Sequence, residues 1–559
     1  MKIGKIEDGS EINMDTGKIE VDDRYIRLHT PYKLKDLCKS ISGRRWDKGN
    51  RCWKYPKTPT IAGEIMSKFH DHAYLKYDEE FEKLLKVEQG MKEAAKKKEM
   101  EDLPDIECSK HSAWLHQRQA YWFAYELPAV GLFLDMGTGK TKIVIDLIVN
   151  RGHQKTLVIC PKSVIDVWPK EFEKHSGKPV KVIPLYKGSV KKRTEEAKIE
   201  MKHAEVLKKP VVFVINYESV WRKPFSEWVL KKAGFDLVVL DESHRIKAPG
   251  GKASRFCSRL GDRVDNRIAL TGTPLPHSPL DAYGQYRFLD KGIFGTSFNR
   301  FKNKYAVMGG YGNYQVLGYQ NEMEYHKKLY TIAYKCDAKD VLDLPEKHHI
   351  NRYCKLSPKA MKVYNKLEDD LYAEIGKNEV IVLNALTKLL RLQQITSGFL
   401  PDDEENIHIL DDSKQRMLAD IFEDIKPDEP IVVFARFRHD LEVIKQIADK
   451  NERSYAELSG SENKLVEWQQ GEYNVIGVQI QSGGLGVDLT RSKYSIYYSL
   501  GYSLGDYLQS VARLNRPGQE RITTFIHLVV EGTVDEKVDT ALKNKKEVVD
   551  YVLEGVANR

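Results

Sequence analysis

Three clusters in this 559-residue chain carry the residue types that act on phosphate esters, and they occur in fixed order. Asp135-Met-Gly-Thr-Gly-Lys-Thr141 comes first, Asp241-Glu-Ser-His244 second, and Gln509-Ser-Val-Ala-Arg-Leu-Asn-Arg516 last. Around the first, an apolar strand, a glycine-rich loop and an apolar-periodic helix follow one another. Backbone N–H groups of Gly137, Thr138, Gly139, Lys140 and Thr141 can wrap a β-phosphate, and the helix N-terminus adds its dipole. Lys140 would reach the β- and γ-phosphates and Thr141 would ligate Mg²⁺. The strict motif has an opening glycine that this run, which starts at Asp135, lacks; by itself the run also fits a chance glycine turn.

The second cluster ends the apolar strand Leu237-Val-Val-Leu240. Adjacent carboxylates there can divide labour: Asp241 holds Mg²⁺ through water, and Glu242 orients or deprotonates the attacking water. An acidic pair after a strand is common, but the glycine loop about a hundred residues upstream makes a joint site the better reading. Arg513 and Arg516 are spaced i, i+3 and can share one helix face. Arginines offered to a γ-phosphate stabilise charge in the transition state; read locally, they are equally two surface arginines. Site halves this far apart in sequence suggest two lobes that close on ATP, the layout of a motor on nucleic acid.

The elements that must position these residues are legible as texture. Gly131-Leu-Phe-Leu, Thr156-Leu-Val-Ile-Cys, Val211-Val-Phe-Val-Ile and Phe235-Asp-Leu-Val-Val-Leu240 read as fully buried parallel strands between helices. The texture returns at Ile431-Val-Val-Phe434, Asn474-Val-Ile-Gly-Val478 and Ser495-Ile-Tyr-Tyr498, giving two α/β lobes. Residues 356–425 read as helices. Residues 290–350, rich in Tyr, Gly and Lys, read as an insertion, with Met308-Gly-Gly-Tyr-Gly-Asn-Tyr314 as a loop. Residues 24–85 read as a small α+β module: a strand at Tyr25, Ile26 and Leu28, a helix carrying Leu34, Leu37 and Cys38, a turn at Gly43, and a strand Arg51–Tyr55 ended by Pro56. The charged helix over 81–100 reads as a solvated spacer, with DNA contact as the alternative. The expected organisation is an accessory domain and linker over 1–100, a first lobe over 101–290, an insertion over 291–350, and helices plus a second lobe over 351–559.

Bulk composition constrains less. The chain is 41% hydrophobic and 30% charged, with a net charge of +8. That mildly basic balance fits a polyanion partner, as it does many soluble enzymes. Seven scattered cysteines without a C-x-x-C pair point to a reducing, intracellular setting and no structural zinc. No secretory h-region opens the chain, and no apolar run approaches the roughly 18 residues of a membrane span.

Taken together, residues 110–545 resemble the Swi/Snf-like ATPases of helicase superfamily two. Beside the three clusters, the resemblance rests on Leu115-His-Gln-Arg-Gln119, on Thr156-Leu-Val-Ile-Cys-Pro-Lys-Ser with Trp168, on Asn216-Tyr-Glu, and on Leu270-Thr-Gly-Thr-Pro-Leu275. Later come Asp343-Leu-Pro-Glu-Lys347, Leu389-Leu-Arg-Leu-Gln-Gln394, Ser482-Gly-Gly-Leu-Gly-Val-Asp-Leu-Thr490 and Arg516-Pro-Gly-Gln519. The resemblance implies two RecA-like lobes, ATP with Mg²⁺ as cofactors, and DNA as partner. It places Gln117 on the adenine, Gly486 and Asp488 among the nucleotide contacts, and Gln509, Arg513 and Arg516 in the catalytic set. Thr271 and Thr273 would link Mg-ATP to the DNA elements. Departures suggest a divergent prokaryotic or viral branch: Tyr334-Lys-Cys-Asp replaces the usual Arg-Arg-x-Lys, and the last motif reads Arg-Leu-Asn-Arg-Pro.

The N-terminal module is similar to the HARP domain of annealing helicases through Leu34-Lys-Asp-Leu37, Gly43-Arg-Arg-Trp-Asp47 and Arg51-Cys-Trp-Lys-Tyr-Pro56. In that reading Arg44, Arg45, Lys48, Arg51 and Lys54 are candidate DNA contacts; Trp46 and Trp53 read as core of the small domain, with base stacking as the alternative. The resulting expectation is a monomeric, DNA-dependent ATPase that translocates on duplex or branched DNA and remodels forks or anneals strands, with no membrane. A protein partner would use 291–350. The alternatives are a strand-separating DNA or RNA helicase, the motor subunit of a defence, restriction or transcription-recycling complex, and a DNA-binding adaptor with a dead site.

Overall fold

The computed structural model describes residues 15–554, apart from 311, 313–314, 370–371, 376–377, 382–384, 403 and 481–486. The chain divides into two compact units, the first essentially 1–337 and the second 338–551 with Pro276–Ser278.

The first unit opens on a five-stranded sheet in the order Arg45–Asp47, Cys52–Pro56, Tyr25–His29, Asp15–Val21, Ala73–Tyr77. Alternation along Tyr25–His29 sends Ile26 and Leu28 into a core with Cys38, Tyr55, Ile61, Ile65 and Phe69. The two tryptophans part company here. Trp53 packs against this core, whereas Trp46, on the edge strand, is 45% exposed and meets Trp53 edge-on at 5.1 Å. An edge strand has a neighbour on one side only, so Trp46 is not the core residue the sequence suggested.

The charged helix Glu79–Lys96 is not a free spacer. It buries Phe81, Met91 and Ala94. Just beyond it, Lys98 Nζ donates to Tyr330 O and Ala333 O, both at 2.7 Å, and lies 4.3 Å from the Phe123 ring centre. The segment that follows is tied to the helix Leu115–Tyr125: Gln119, Arg118 and Trp122 donate to the carbonyls of Met100, Leu103 and Pro104. Thr60 Oγ1 also donates to Asp290 Oδ2 at 2.8 Å. The small module is therefore pinned at several points to the rest of this unit.

Next comes a seven-stranded sheet, ordered Ala333–Cys336, Ala129–Leu134, Asn266–Leu270, Leu237–Asp241, Lys155–Cys160, Val211–Asn216, Lys181–Pro184. Every pairing is parallel, and the central strands are buried along their length because helices cover both faces. Residues 291–350 do not form a separate body. The strand Ala333–Cys336 adds to the edge of this sheet, so the unit boundary falls after Asp337. Ahead of it, Phe294, Phe301, Tyr305 and Tyr325 pack ring on ring. Ala306–Gly309 pairs with Gln315–Tyr319 as a hairpin, so of the loop expected over 308–314 Met308 and Gly309 belong to a strand, while 311, 313 and 314 lie outside the described residues.

The second unit is a six-stranded parallel sheet, ordered Lys347–Cys354, Thr523–Val530, Tyr494–Tyr497, Ile431–Ala435, Val475–Gln479, Tyr455–Leu458. Between Leu356 and Ile425, helices Pro358–Asp369, Ala385–Thr396 and Ser413–Asp424 alternate with two short hairpins. The fold is thus α/β, with two RecA-like lobes and a small α+β domain. Among the described residues, no helix is long and apolar enough to cross a membrane.

One buried group is placed to make the second unit respond to acid. His527 stacks on Tyr497 at 4.9 Å, and its Nε2 lies 3.1 Å from the Tyr507 hydroxyl. Burial, then the neighbouring His349, push its imidazole down to about 4 from an ordinary 6.5. The unfolded chain takes the proton first, so this contribution is complete above pH 6.5 and is lost as pH falls toward 4. We expect His527→Phe to remove on the order of 3 kcal/mol of acid sensitivity; thermal unfolding of both proteins between pH 7.5 and 4.5 measures it.

Candidate nucleotide site

Ligands of parallel sheets sit at the carboxyl ends of the strands, where loops converge. In the first unit, three adjacent strands deliver three of the segments picked out above. Ala129–Leu134 leads into the glycine loop, Asn266–Leu270 into Thr271–Pro274, and Leu237–Asp241 into the carboxylate turn. The register pairs Asp241 with Leu270, which places Thr271 one residue beyond the Asp241 level.

The glycine loop needs backbone that other residues avoid. Gly137 and Gly139 have φ of +82° and +90°. A Cβ on Gly139 would stand 2.2 Å from Gln117 Nε2, so a side chain there would strain the backbone and displace that amide. The helix Lys140–Asn150 starts directly after it, with Thr141 partly exposed in its first turn. Lys140 Nζ donates to Leu134 O and Asp135 O at 2.7 and 2.9 Å, and Thr138 Oγ1 donates to Asp135 O. The lysine thus rests on the end of the strand that leads in, and the loop is tied to itself through Asp135 O.

Gln117 sits behind this loop rather than out at its edge. It is buried, its Nε2 donates to Thr138 O at 3.0 Å, and its Oε1 accepts from Trp114 N. His116 Nε2 lies 2.9 Å from the same Thr138 carbonyl. Sequence reasoning gave His116 no role; its one signal was its place beside Gln117.

The carboxylate turn is a strained and charged spot. Glu242 has φ +52°, ψ 53°, and is buried; non-glycine residues held there usually serve a site. Its Oε2 accepts from Thr271 Oγ1 at 3.2 Å and lies 3.3 Å from His244 Nδ1. Thr271 Oγ1 in turn accepts from Thr273 N and is 3.0 Å from His244 Nδ1. Asp241 Oδ2 accepts from Trp168 Nε1 at 3.2 Å, a contact that only the fold brings about across 73 residues. Burial, then the Glu242 charge, raise the Asp241 carboxyl well above its ordinary range, and the Lys140 charge draws it back. Two carboxylates crowded out of water call for a cation. Asp241 and the Thr141 hydroxyl would hold Mg²⁺ here, and the ion would supply neutralising charge to the phosphates. Among the described residues no group of three or more His, Cys, Asp or Glu gathers as an all-protein metal cage.

In the second unit the helix Leu504–Leu514 carries Gln509 and Arg513, both buried. Leu489 N donates to Arg513 O, and Arg516 Nη1 reaches Val487 O at 3.4 Å. Asp488 Oδ1 accepts from Thr490 N and Oγ1 at 2.9 and 2.7 Å. The last two motifs are thus one local assembly, stitched by Gln519 Nε2 to Thr490 O and Ser492 O. Gly486 lies outside the described residues.

In the N-terminal module, Arg45, Lys48 and Arg51 are exposed and Arg44 is half-buried, but Lys54 is engaged by Asp47 at 2.5 Å. Asp47 also binds Arg27, so Lys54 belongs to an internal ion pair.

A glycine loop with its lysine, an Asp-Glu pair whose glutamate is buried, and a threonine bonded to that glutamate, all at one sheet end, define a P-loop nucleotide hydrolase. Residues 66–398 match the SNF2-related domain, and residues 413–518 match the helicase conserved C-terminal domain. The chain belongs to the SNF2-related family of ATP hydrolases. A putative protein p41 of Acyrthosiphon pisum secondary endosymbiont phage 1 is 27% identical over 453 residues, covering 76% of this chain and 94% of the phage protein. The putative ATP-dependent helicase/translocase YwqA of Bacillus subtilis is 24% identical over 75% of this chain, which spans only 46% of that relative. The Sulfolobus solfataricus SWI2/SNF2 ATPase core, solved in complex with dsDNA, aligns at TM-score 0.39 and 22% identity, covering 81% of this chain and 96% of that one.

Proposed function

We propose that this protein is a DNA-stimulated ATPase that translocates on duplex or branched DNA inside a bacterial or phage-infected cell. The observation that carries the reading is the joining of Glu242, Thr271 and His244 beside Asp241 and Lys140, a cluster that couples phosphate chemistry to a neighbouring loop. Family membership and the helicase/translocase relative support DNA as the track.

In the proposed cycle Lys140 leaves its carbonyl partners for the β- and γ-phosphates, Gln117 and His116 hold the loop, and Thr141 and Asp241 hold Mg²⁺. The ion supplies charge neutralisation on the phosphates. Glu242 takes the proton of the attacking water, and Arg513 and Arg516 stabilise the charge that develops. Thr271 and Thr273 pass the change to the DNA-gripping elements.

The finer reading is fork remodelling or strand annealing. It is supported by Arg45, Lys48 and Arg51 standing exposed in the same short segment as the exposed Trp46, on a module pinned to the ATP-binding unit. Exposed cations and an aromatic in one segment suit phosphate contact and base stacking.

Steady-state ATP hydrolysis without nucleic acid and with single strand, duplex, fork or RNA tests the proposal, with Lys140→Ala as the dead control. Stimulation by duplex or fork, absent in Lys140→Ala, is the expected result. Stimulation by RNA alone would overturn it in favour of an RNA motor. No stimulation by any of them would point to a partner-dependent complex.

A further inference from the structure

Gln285 is fully buried in the helix Ala282–Leu289, far in sequence from both clusters of the nucleotide site. Its amide spends one end on each of two catalytic loops. Oε1 accepts from Ser243 Oγ at 2.7 Å, and Nε2 donates to Pro274 O at 2.7 Å. Ser243 directly follows Glu242 and is itself fully buried. Pro274 closes the Thr271-Gly-Thr-Pro segment. The helix packs closely on the end of the carboxylate turn: a Cβ on its Gly284 would stand 2.1 Å from Ile246 O.

Two bridges therefore join that turn to residues 271–274. One is the Thr271 hydroxyl, which touches Glu242 itself. The other is the Gln285 amide, which takes hold one residue beyond Glu242 and three residues beyond Thr271. A buried amide is costly unless both its ends are satisfied, and a bridge with one end cut leaves a buried group unpaired. Such an element holds its two loops in one relative position or releases both.

We propose that Gln285 is a positioning residue, which locks the carboxylate turn to the 271–274 segment so that the hydrolytic geometry at Glu242 and the placement of that segment change together. The proposal rests on the ATP-hydrolysing, DNA-stimulated reading given above.

The test is steady-state hydrolysis, with and without duplex DNA, by wild type, Gln285→Leu, Gln285→Glu, Ser243→Ala and the double variant Ser243→Ala/Gln285→Leu. Gln285→Leu should lower kcat at saturating duplex about tenfold while KM for ATP stays within about twofold. Gln285→Glu, where ionised, accepts from Ser243 but has no proton for Pro274 O, and should fall as far at high pH and recover as the carboxyl takes a proton at low pH. The double variant should be no slower than Gln285→Leu alone, because the bridge is already broken. A wild-type kcat in Gln285→Leu, a KM that rises as kcat falls, or additive losses in the double variant would overturn the proposal. Thermal unfolding accompanies each variant, with Gln285→Met in place of one that fails to fold. An unstimulated wild type would sink the duplex-translocase reading instead, and the same tenfold fall and non-additivity would then be read on the basal rate.

Discussion

Glu242→Gln should yield a protein that still binds ATP and turns it over about a thousandfold more slowly, the range general-base removal covers. The substitution keeps the shape of the side chain and an oxygen that can accept from Thr271 Oγ1, the contact seen at 3.2 Å. It removes the basicity. It also removes one of two carboxylates crowded together, so the Asp241 carboxyl should return toward its ordinary range. ATP binding should therefore persist or tighten while the chemical step fails. Single-turnover hydrolysis beside equilibrium binding of a fluorescent ATP analogue separates the two. A variant that hydrolyses at near wild-type rate would remove Glu242 from the base role, and one that loses binding as well would make its role structural.

Arg516→Ala should lower kcat by about 10³, with little change in KM for ATP, because an arginine offered to the γ-phosphate acts on the transition state. Among the described residues of the second unit, Arg516 Nη1 reaches the Val487 carbonyl at 3.4 Å and its buried Nε meets no hydrogen-bond partner. Arg513 is more deeply held, on the helix that also packs Gln509 and Ser510. We therefore expect Arg513→Ala to cost turnover and stability together, and Arg516→Ala to cost turnover alone. Arg516→Lys should restore little, since a point charge lacks the planar fork of donors. Pre-steady-state hydrolysis with thermal unfolding on the same samples distinguishes the two arginines. Equal kcat losses with equal melting shifts would show that both are structural.

Much of this site was legible because its parts are local. A glycine at positive φ, a lysine and a hydroxyl must follow one another directly to build the loop, so Gly137 to Thr141 announce themselves. Asp241 and Glu242 stand at the end of an apolar run for the same reason, and continuous apolar runs marked nearly every central strand. The marks failed where burial was one-sided or an element was very short. Ala333–Cys336 is a four-residue edge strand, too brief to show a period, and it moved the unit boundary from the expected insertion to Asp337. Trp46 looked like core because composition cannot say which strand is the edge.

The sequence by itself determined the chemistry this protein can do, since each reactive group is set by a short run of residue types. Tertiary structure alone decided what holds those groups in place. Thr271 meets Glu242 because the strand 266–270 lies between those of the loop and the carboxylates. Trp168 reaches Asp241 across 73 residues, and Gln285 reaches Ser243 across 42. Strand order and helix packing create such contacts, and no local spacing encodes them. Parallel crossovers separate spatial neighbours by dozens of residues along the chain.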